Sequence, residues 1–263
     1  MQSEKIIDYI VNWLKDYATK ANVKGYIIGV SGGVDSAVVS TLCAMTGLKV
    51  LLLELPIRQK QDHVNRAWEH IEHLKNKFPN VEAMSVNLTT VFEELYNTFD
   101  IDEEEFPAGK LAFANTRSRL RMLTLYYYGQ INGLLVCGTG NKVEDFGIGF
   151  YTKYGDGGVD ISPIADLYKT EVYQLAKDLD LVKSIQEAIP SDGLWDLDRT
   201  DEQQIGATYP ELEKIQKEYG SKEEADYSDR DLEVFRIFSK MNHAGQHKMN
   251  PIPVCDIPEE WRN

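Results

Sequence analysis

Apolar side chains recur at Ile6, Ile7, Ile10, Val11 and Leu14, the spacing of one helix face, so the chain opens on an amphipathic helix. Residues 25–30 form a short apolar run bounded by glycines, which predicts a buried strand. A second such run covers residues 49–55 and stops at Pro56, a third covers 81–86 and a fourth 133–137. Between them the pattern turns helical over residues 37–45, closed by Gly47, over 59–77, and over a long stretch from Lys110 to Gln130. A further amphipathic helix is predicted over 168–179, with Val172, Leu175, Ala176 and Leu179 on one face. Uniformly apolar strands alternating with helices predict an α/β fold, a doubly wound parallel sheet flanked by helices on both faces. Such sheets bind ligands beyond the carboxyl ends of their strands, which directs attention to the segments after Val30 and after Cys137.

The rest of the chain is more polar. Residues 100–105 form an acidic run expected as a solvated loop. From Ser191 onward the periodicity weakens, and residues 220–224 read as a flexible stretch. No domain boundary is visible, so the reading is a single domain over residues 1–263 with a mobile polar C-terminal region at about 191–250. The balance of 28 basic against 42 acidic residues, a net charge of −14, argues against a nucleic-acid-wrapping protein, which needs a basic surplus to displace counterions. No apolar run reaches the roughly 20 residues of a membrane span, and the start lacks the apolar core of a secretory signal. Cys43, Cys137 and Cys255 lie far apart with no Cys-x-x-Cys pair, as expected for reduced thiols in the cytoplasm.

The chemistry concentrates after the first strand, in Ser31, Gly32, Gly33, Val34, Asp35 and Ser36. Adjacent glycines let backbone N–H groups approach an anion, and the helix that follows adds partial positive charge. Ser31 and Ser36 add hydroxyl donors. Phosphate would repel Asp35 unless a divalent cation lay between them, which makes Asp35 a candidate Mg²⁺ ligand. The plainer alternative is a strand–turn–helix junction in which glycine relieves strain and serine caps the helix. Neither a Lys-Ser nor a Lys-Thr pair follows the glycines, and Gly-x-Gly-x-x-Gly occurs nowhere, so the loop is neither a Walker A motif nor a dinucleotide fingerprint. It resembles the SGGxDS pyrophosphate loop of the ATP pyrophosphatase superfamily, whose adenine nucleotide alpha hydrolase-like enzymes adenylate a substrate oxygen and release pyrophosphate.

Later segments narrow that resemblance. Asn115-Thr-Arg117-Ser-Arg119-Leu-Arg121, then Gly138-Thr139-Gly-Asn-Lys-Val-Glu144, then Tyr151-Thr-Lys153-Tyr-Gly-Asp156-Gly-Gly-Val-Asp160 follow in order. With the glycine loop they resemble the ammonia-dependent, single-domain NAD synthetases from about Gly29 to Lys169, resuming at Pro190-Ser191 and His247-Lys248. The resemblance implies ATP contacts at Gly29, Val30, Ser31, Gly32, Gly33, Val34, Asp35, Ser36, Thr139, Lys169 and Ser191. It implies Mg²⁺ ligands at Asp35 and Glu144, and contacts to deamido-NAD from Arg119, Lys153, Asp160, His247 and Lys248. Asp35 and Lys169 are the expected catalytic pair, with Lys169 opposing charge at the ATP phosphates. Taken alone, Glu144 reads first as a helix first-turn acid stabilised by the dipole, and Lys153 to Asp160 reads equally as a solvent-exposed turn. Arg117 and Arg121 are left between phosphate binding and solubility, since the three arginines cannot share one helix face.

The implied reaction converts deamido-NAD, ATP and ammonia into NAD, AMP and pyrophosphate, and the chain length leaves no room for the amidase domain of a glutamine-using enzyme. A separate amidase chain remains an alternative. The resemblance also implies a homodimer with the dinucleotide at its interface, where Tyr126, Tyr127 and Tyr128 are either contacts or core. Departures are Val34 at a commonly polar position, Ser191 for threonine, the pair Gly140-Asn141, and a Glu144-to-Lys153 spacing that is slightly long. His243 and His247 are four apart, but no further zinc ligands cluster with them. A tRNA-modifying adenylating enzyme fits poorly with the net charge. A nucleotide-binding module without catalysis gives no reason for Asp35, Glu144 and Lys169 to occur together.

Overall fold

The computed structural model describes residues 1–99, 108–188 and 200–262. Helix α1 (Ser3–Lys20) leads into β1 (Gly25–Gly29), α2 (Val34–Met45), β2 (Lys49–Glu54), α3 (Gln61–Lys77) and β3 (Val81–Ser85). Then come α4 (Thr89–Phe99), α5 (Ala108–Asn132) and β4 (Leu134–Val136). The strands form one parallel sheet in the order β3-β2-β1-β4, with Ile27 of β1 paired to Leu51 on one side and Val136 on the other. The doubly wound parallel sheet expected from the apolar runs is what forms.

Alternation along each strand divides the core. Tyr26, Ile28 and Leu52 pack with Leu14, Val38, Leu42 and Leu175 on one face. Ile27, Leu51, Leu53 and Val136 pack with Phe92, Leu120 and Leu125 on the other. Both faces are covered, which is why the strands read as unbroken apolar runs. Chain order reverses between β1 and β4, so the crevice beyond the ends of those two strands is where a doubly wound sheet takes a ligand.

Helix α2 begins earlier than its apolar run predicts. Gly33 is its N-cap, and the Ser36 hydroxyl and Ala37 N–H both donate to the Gly33 carbonyl, at 3.0 and 3.2 Å. Asp35 and Ser36 therefore stand in the first turn of the helix and not in the preceding loop.

After β4, residues 144–148 make one π-helical turn, closed by Ile148 N–H donating to Val143 O at 2.9 Å. Such a turn takes up one more residue than an α-helical turn. Helix α6 (Lys169–Asp178) packs on α2, followed by the short α7 (Lys183–Gln186). The polar region beyond residue 200 forms α8 (Asp201–Ile205), α9 (Tyr209–Glu218) and α10 (Asp229–Met249). Leu212, Ile215, Val234 and Phe238 join Val143 and Ile148 in a third apolar cluster. Along its whole length α10 buries only Val234, Phe238 and Gly245, too few positions to impose a visible period. No helix among the described residues is long and apolar enough to cross a membrane. The acidic run at 100–105 and the ATP contact expected at Ser191 lie outside the described residues.

Candidate active site

The loop after β1 and the first turn of α2 form one wall of a cavity of about 290 Å³ at the β1–β4 crevice. Thr139, Gly140, Glu144 and Lys169 line the same cavity, as do the apolar side chains of Leu53, Met122, Leu125 and Val159. Loop geometry depends on glycine at one point. Gly32 has φ +82°, and a Cβ there would lie 2.7 Å from the His63 carbonyl oxygen, so a side chain would collide with α3. The Ser31 and Ser36 hydroxyls stand 3.1 Å apart, and Gly33 N–H donates to Ser31 Oγ at 3.2 Å, which fixes the curve of the loop. The early N–H groups of α2 have no acceptor within their own helix and stand at the cavity wall, the usual arrangement for an anion.

Three charged side chains meet at the crevice. Lys169 Nζ donates to Asp35 Oδ2 at 2.6 Å and to Glu144 Oε1 at 3.0 Å, with the lysine side chain only 4% exposed. Burial disfavours the ammonium, but the two carboxylates outweigh it and raise the Lys169 pKa. Glu144 is pushed above the usual glutamate range by burial and by the Asp35 charge, with Lys169 opposing. The Tyr209 hydroxyl, from the start of α9, donates to the same Glu144 oxygen and lies 3.3 Å from Asp201 Oδ2. Burial and the Glu144 charge raise the Tyr209 pKa far above the phenol range, so the group is an O–H donor. Asn141 is fully buried, and its Nδ2 donates to Asp35 Oδ1 at 3.2 Å. Its own oxygen accepts from Val143 N–H and Glu144 N–H at 3.2 and 3.1 Å. One amide thus ties the first turn of α2 to the turn that carries Glu144.

Two carboxylates converging beside an anion-binding loop suit a hard divalent cation. Among the described residues no group of three or more His, Cys, Asp or Glu side chains is arranged to hold a metal. Asp35 and Glu144 are the two carboxylates that would hold a hard cation here, since such ions commonly take one or two protein carboxylates and fill the remaining positions with phosphate oxygen and water.

The sequence as a whole matches the profile of the family described as NAD synthase over residues 6–252. The chain belongs to the NAD synthase family. It is 37% identical over 264 residues to an NH(3)-dependent NAD(+) synthetase of Archaeoglobus fulgidus, covering 98% of each chain. With the corresponding enzyme of Carboxydothermus hydrogenoformans it shares 40% identity over 211 residues, 80% of this chain and 84% of that one. The solved structure of NMN synthetase from Francisella tularensis aligns with a TM-score of 0.82 at 31% identity, covering 98% of this chain and 99% of that one. NAD synthases are ligases that form a carbon–nitrogen bond, and this protein is an enzyme of that class.

Four of the five residues expected at the second substrate, Arg119, Lys153, His247 and Lys248, are joined by side-chain-to-backbone hydrogen bonds outside the residues that line the cavity. Arg119 Nε donates to the Lys153 carbonyl at 3.2 Å, and Lys153 Nζ donates to the His247 carbonyl at 2.5 Å. Lys248 Nζ donates to the carbonyls of Gly149 and Tyr151, the latter at 2.8 Å. The C-terminal end of α10 is thereby fastened to the Tyr151–Tyr154 loop. Asp160 is engaged elsewhere, accepting from the Tyr126 hydroxyl at 3.0 Å and from Val136 N–H at 2.8 Å. The three arginines separate as a helix requires. Arg117 is buried over the Phe92 ring, Arg119 is exposed, and Arg121 lines the cavity, donating to Leu55 O and Gln59 Oε1 at 3.0 and 2.8 Å.

Several cavity residues carried no assignment in the sequence. Asp156, inside the diagnostic Lys-Tyr-Gly-Asp segment, exchanges hydrogen bonds with Ser118 at 2.6 and 2.9 Å. Asp145 also lines the cavity, and burial, with nearby acids, pushes its pKa well up. A Cβ at position 140 would stand 1.8 Å from the Asp145 carboxylate, so only glycine leaves room for that side chain. Behind the cavity wall, Asn141 stands out in the sequence only as part of the departing pair Gly140-Asn141, and Tyr209 carries no local signal.

Proposed function

We propose that this enzyme amidates deamido-NAD with ammonia, driven by ATP, in the last step of NAD formation. The observation that carries the reading is the meeting of Asp35, Glu144 and Lys169 beside the glycine loop. An NAD synthase cavity with this wall suits a triphosphate held by α2 and its loop, with the base against Leu53, Met122 and Leu125. Ser31, Ser36 and Thr139 would donate to phosphate oxygens, and Asp35 and Glu144 would hold Mg²⁺. When bound, the cation offsets negative charge on the phosphates.

The nicotinate carboxylate is a poor electrophile because its leaving group would be oxide. One carboxylate oxygen attacks the α-phosphorus, the bond to the bridging oxygen breaks, and pyrophosphate departs. Ammonia then adds to the acyl carbon, the carbon–oxygen bond to AMP breaks, AMP leaves with that oxygen, and the nitrogen releases one proton to water. Lys169 opposes the charge that builds at the phosphates, while Arg119, Lys153, His247 and Lys248 orient the dinucleotide. No protein nucleophile is required, so catalysis comes from positioning and charge neutralisation.

The test is direct. Incubation with ATP, Mg²⁺, ammonium and deamido-NAD should give NAD and pyrophosphate in equal amounts. Absence of both products would sink the reading. Similarity to an NMN synthetase makes the mononucleotide the competing substrate, so nicotinate mononucleotide is run in parallel; a higher kcat/KM for it would replace deamido-NAD with the shorter acceptor.

The active form is a homodimer built on α5. Leu123, Tyr127 and Ile131 recur every four residues on that helix and are each more than 60% exposed, an apolar stripe suited to a second copy. Leu123→Glu should convert a dimer in sedimentation velocity into a species of half the mass, whereas an unchanged coefficient would exclude this face. The reading places the enzyme in the cytoplasm, supported by three cysteines that are all free thiols.

A further inference from the structure

Tyr209 reaches the charged cluster from a different layer than the residues it touches. Asp35 stands in the first turn of α2, Glu144 opens the π-helical turn that follows β4, and Lys169 opens α6. Tyr209 opens α9, in the C-terminal helices, and is 4% exposed. Three elements fix its place. Tyr209 N–H donates to Glu202 of α8 at 2.9 Å, and Thr208 N–H donates to Glu211 at 2.8 Å in a capping box. Arg230 of α10 then holds Glu211 at 2.8 Å. The ring lies under Lys169, with Nζ 5.0 Å from its centroid.

The hydroxyl does something more specific than fill space. It and the Lys169 ammonium both donate to Glu144 Oε1, while Oε2 accepts no hydrogen bond among the described residues. Two donors from opposite layers on one oxygen stop the carboxylate from rotating and leave the other oxygen available. Asn141 fixes the backbone of Glu144 from the sheet side. We propose that Tyr209 is a positioning residue that holds Glu144 in the orientation that receives the divalent cation, so that cation binding depends on the C-terminal helices being docked. This rests on the assignment of Glu144 as a cation ligand.

Tyr209→Phe removes only the hydroxyl and keeps the ring under Lys169. Mn²⁺ binding is followed by electron paramagnetic resonance in the presence of ATP and without the second substrate. The variant should bind Mn²⁺ about tenfold more weakly, the usual effect of removing a group that orients a metal ligand. Its affinity for ATP without divalent cation should stay near that of the wild type, and its melting temperature should fall by no more than the few degrees that one buried hydrogen bond accounts for. In turnover it should need about tenfold more Mg²⁺ for half-maximal rate and recover at high Mg²⁺. Glu144→Gln in the same binding assay separates the two levels of the argument. If Glu144→Gln leaves Mn²⁺ affinity unchanged, the ligand assignment and the proposal fall together. If Glu144→Gln weakens Mn²⁺ and Tyr209→Phe does not, the positioning role alone is overturned. Parallel loss of ATP affinity, Mn²⁺ affinity and melting temperature would make Tyr209 a core residue, and would overturn it as well.

Discussion

Lys169→Met is expected to abolish measurable turnover and to destabilise the fold by about 3–5 kcal/mol, the effect of removing one partner from a buried ion cluster. The methionine fills the space of the lysine stem but supplies no charge. Asp35 and Glu144 then face each other with no ammonium between them, where the wild-type distances are 2.6 and 3.0 Å. The variant can relieve this in two ways. It can take up a proton, because burial and the Asp35 charge already raise the Glu144 pKa and losing Lys169 raises it further. A folded-state carboxylate pKa above the unfolded value means the folded state binds more protons, so stability lost at neutral pH returns as pH falls. Alternatively, a divalent cation can take the ammonium's place. Urea unfolding should therefore show the deficit shrinking as the pH is lowered from neutral towards the ordinary glutamate range, and shrinking at neutral pH when Mg²⁺ is added. A deficit independent of both would mean that the loss reflects packing of the lysine stem.

The sheet could be read from the sequence because Ile27, Ile28 and Leu51 to Leu53 are covered from both sides and leave an unbroken apolar signal. Helices anchored by few buried residues leave no such signal. Helix α4 buries Phe92 alone, and α10 buries three positions, so neither stood out from its polar surroundings. The same contrast divides the active site. The glycine loop is contiguous, and its chemistry follows from adjacent residues. Asp35 and Lys169 are separated by 134 positions, and no spacing rule connects them. Only family resemblance brought them together in advance. Asn141 was visible merely as a departure, yet its amide spans from Asp35 to Glu144. Tyr209 sits in a polar region whose fold depends on contacts with the π-turn, so its role emerges only in three dimensions.

Asp35→Asn is expected to lower turnover about a thousandfold, the scale of losing an electrostatic stabiliser from a closed site, while the protein remains folded. The geometry explains why so small a change is severe. A carboxylate offers two acceptor oxygens, and here Oδ2 takes Lys169 while Oδ1 takes Asn141. An amide offers one oxygen and presents hydrogens from the other position. The substituted side chain can satisfy Lys169 or Asn141 but must direct its NH₂ at the other donor. Asn141 cannot turn its own oxygen to compensate without releasing the N–H groups of Val143 and Glu144. The variant therefore loses its charge and also loosens the link that sets position 35 against Glu144. One mismatched buried hydrogen bond costs about 1–3 kcal/mol, well within what a domain tolerates. Near-wild-type circular dichroism is expected beside the collapse of pyrophosphate release. The wild type with ATP should melt higher when Mg²⁺ is added, and the variant should not. Near-normal turnover, or an undiminished Mg²⁺ shift, would remove Asp35 from the cation site and leave its role as the partner of Lys169.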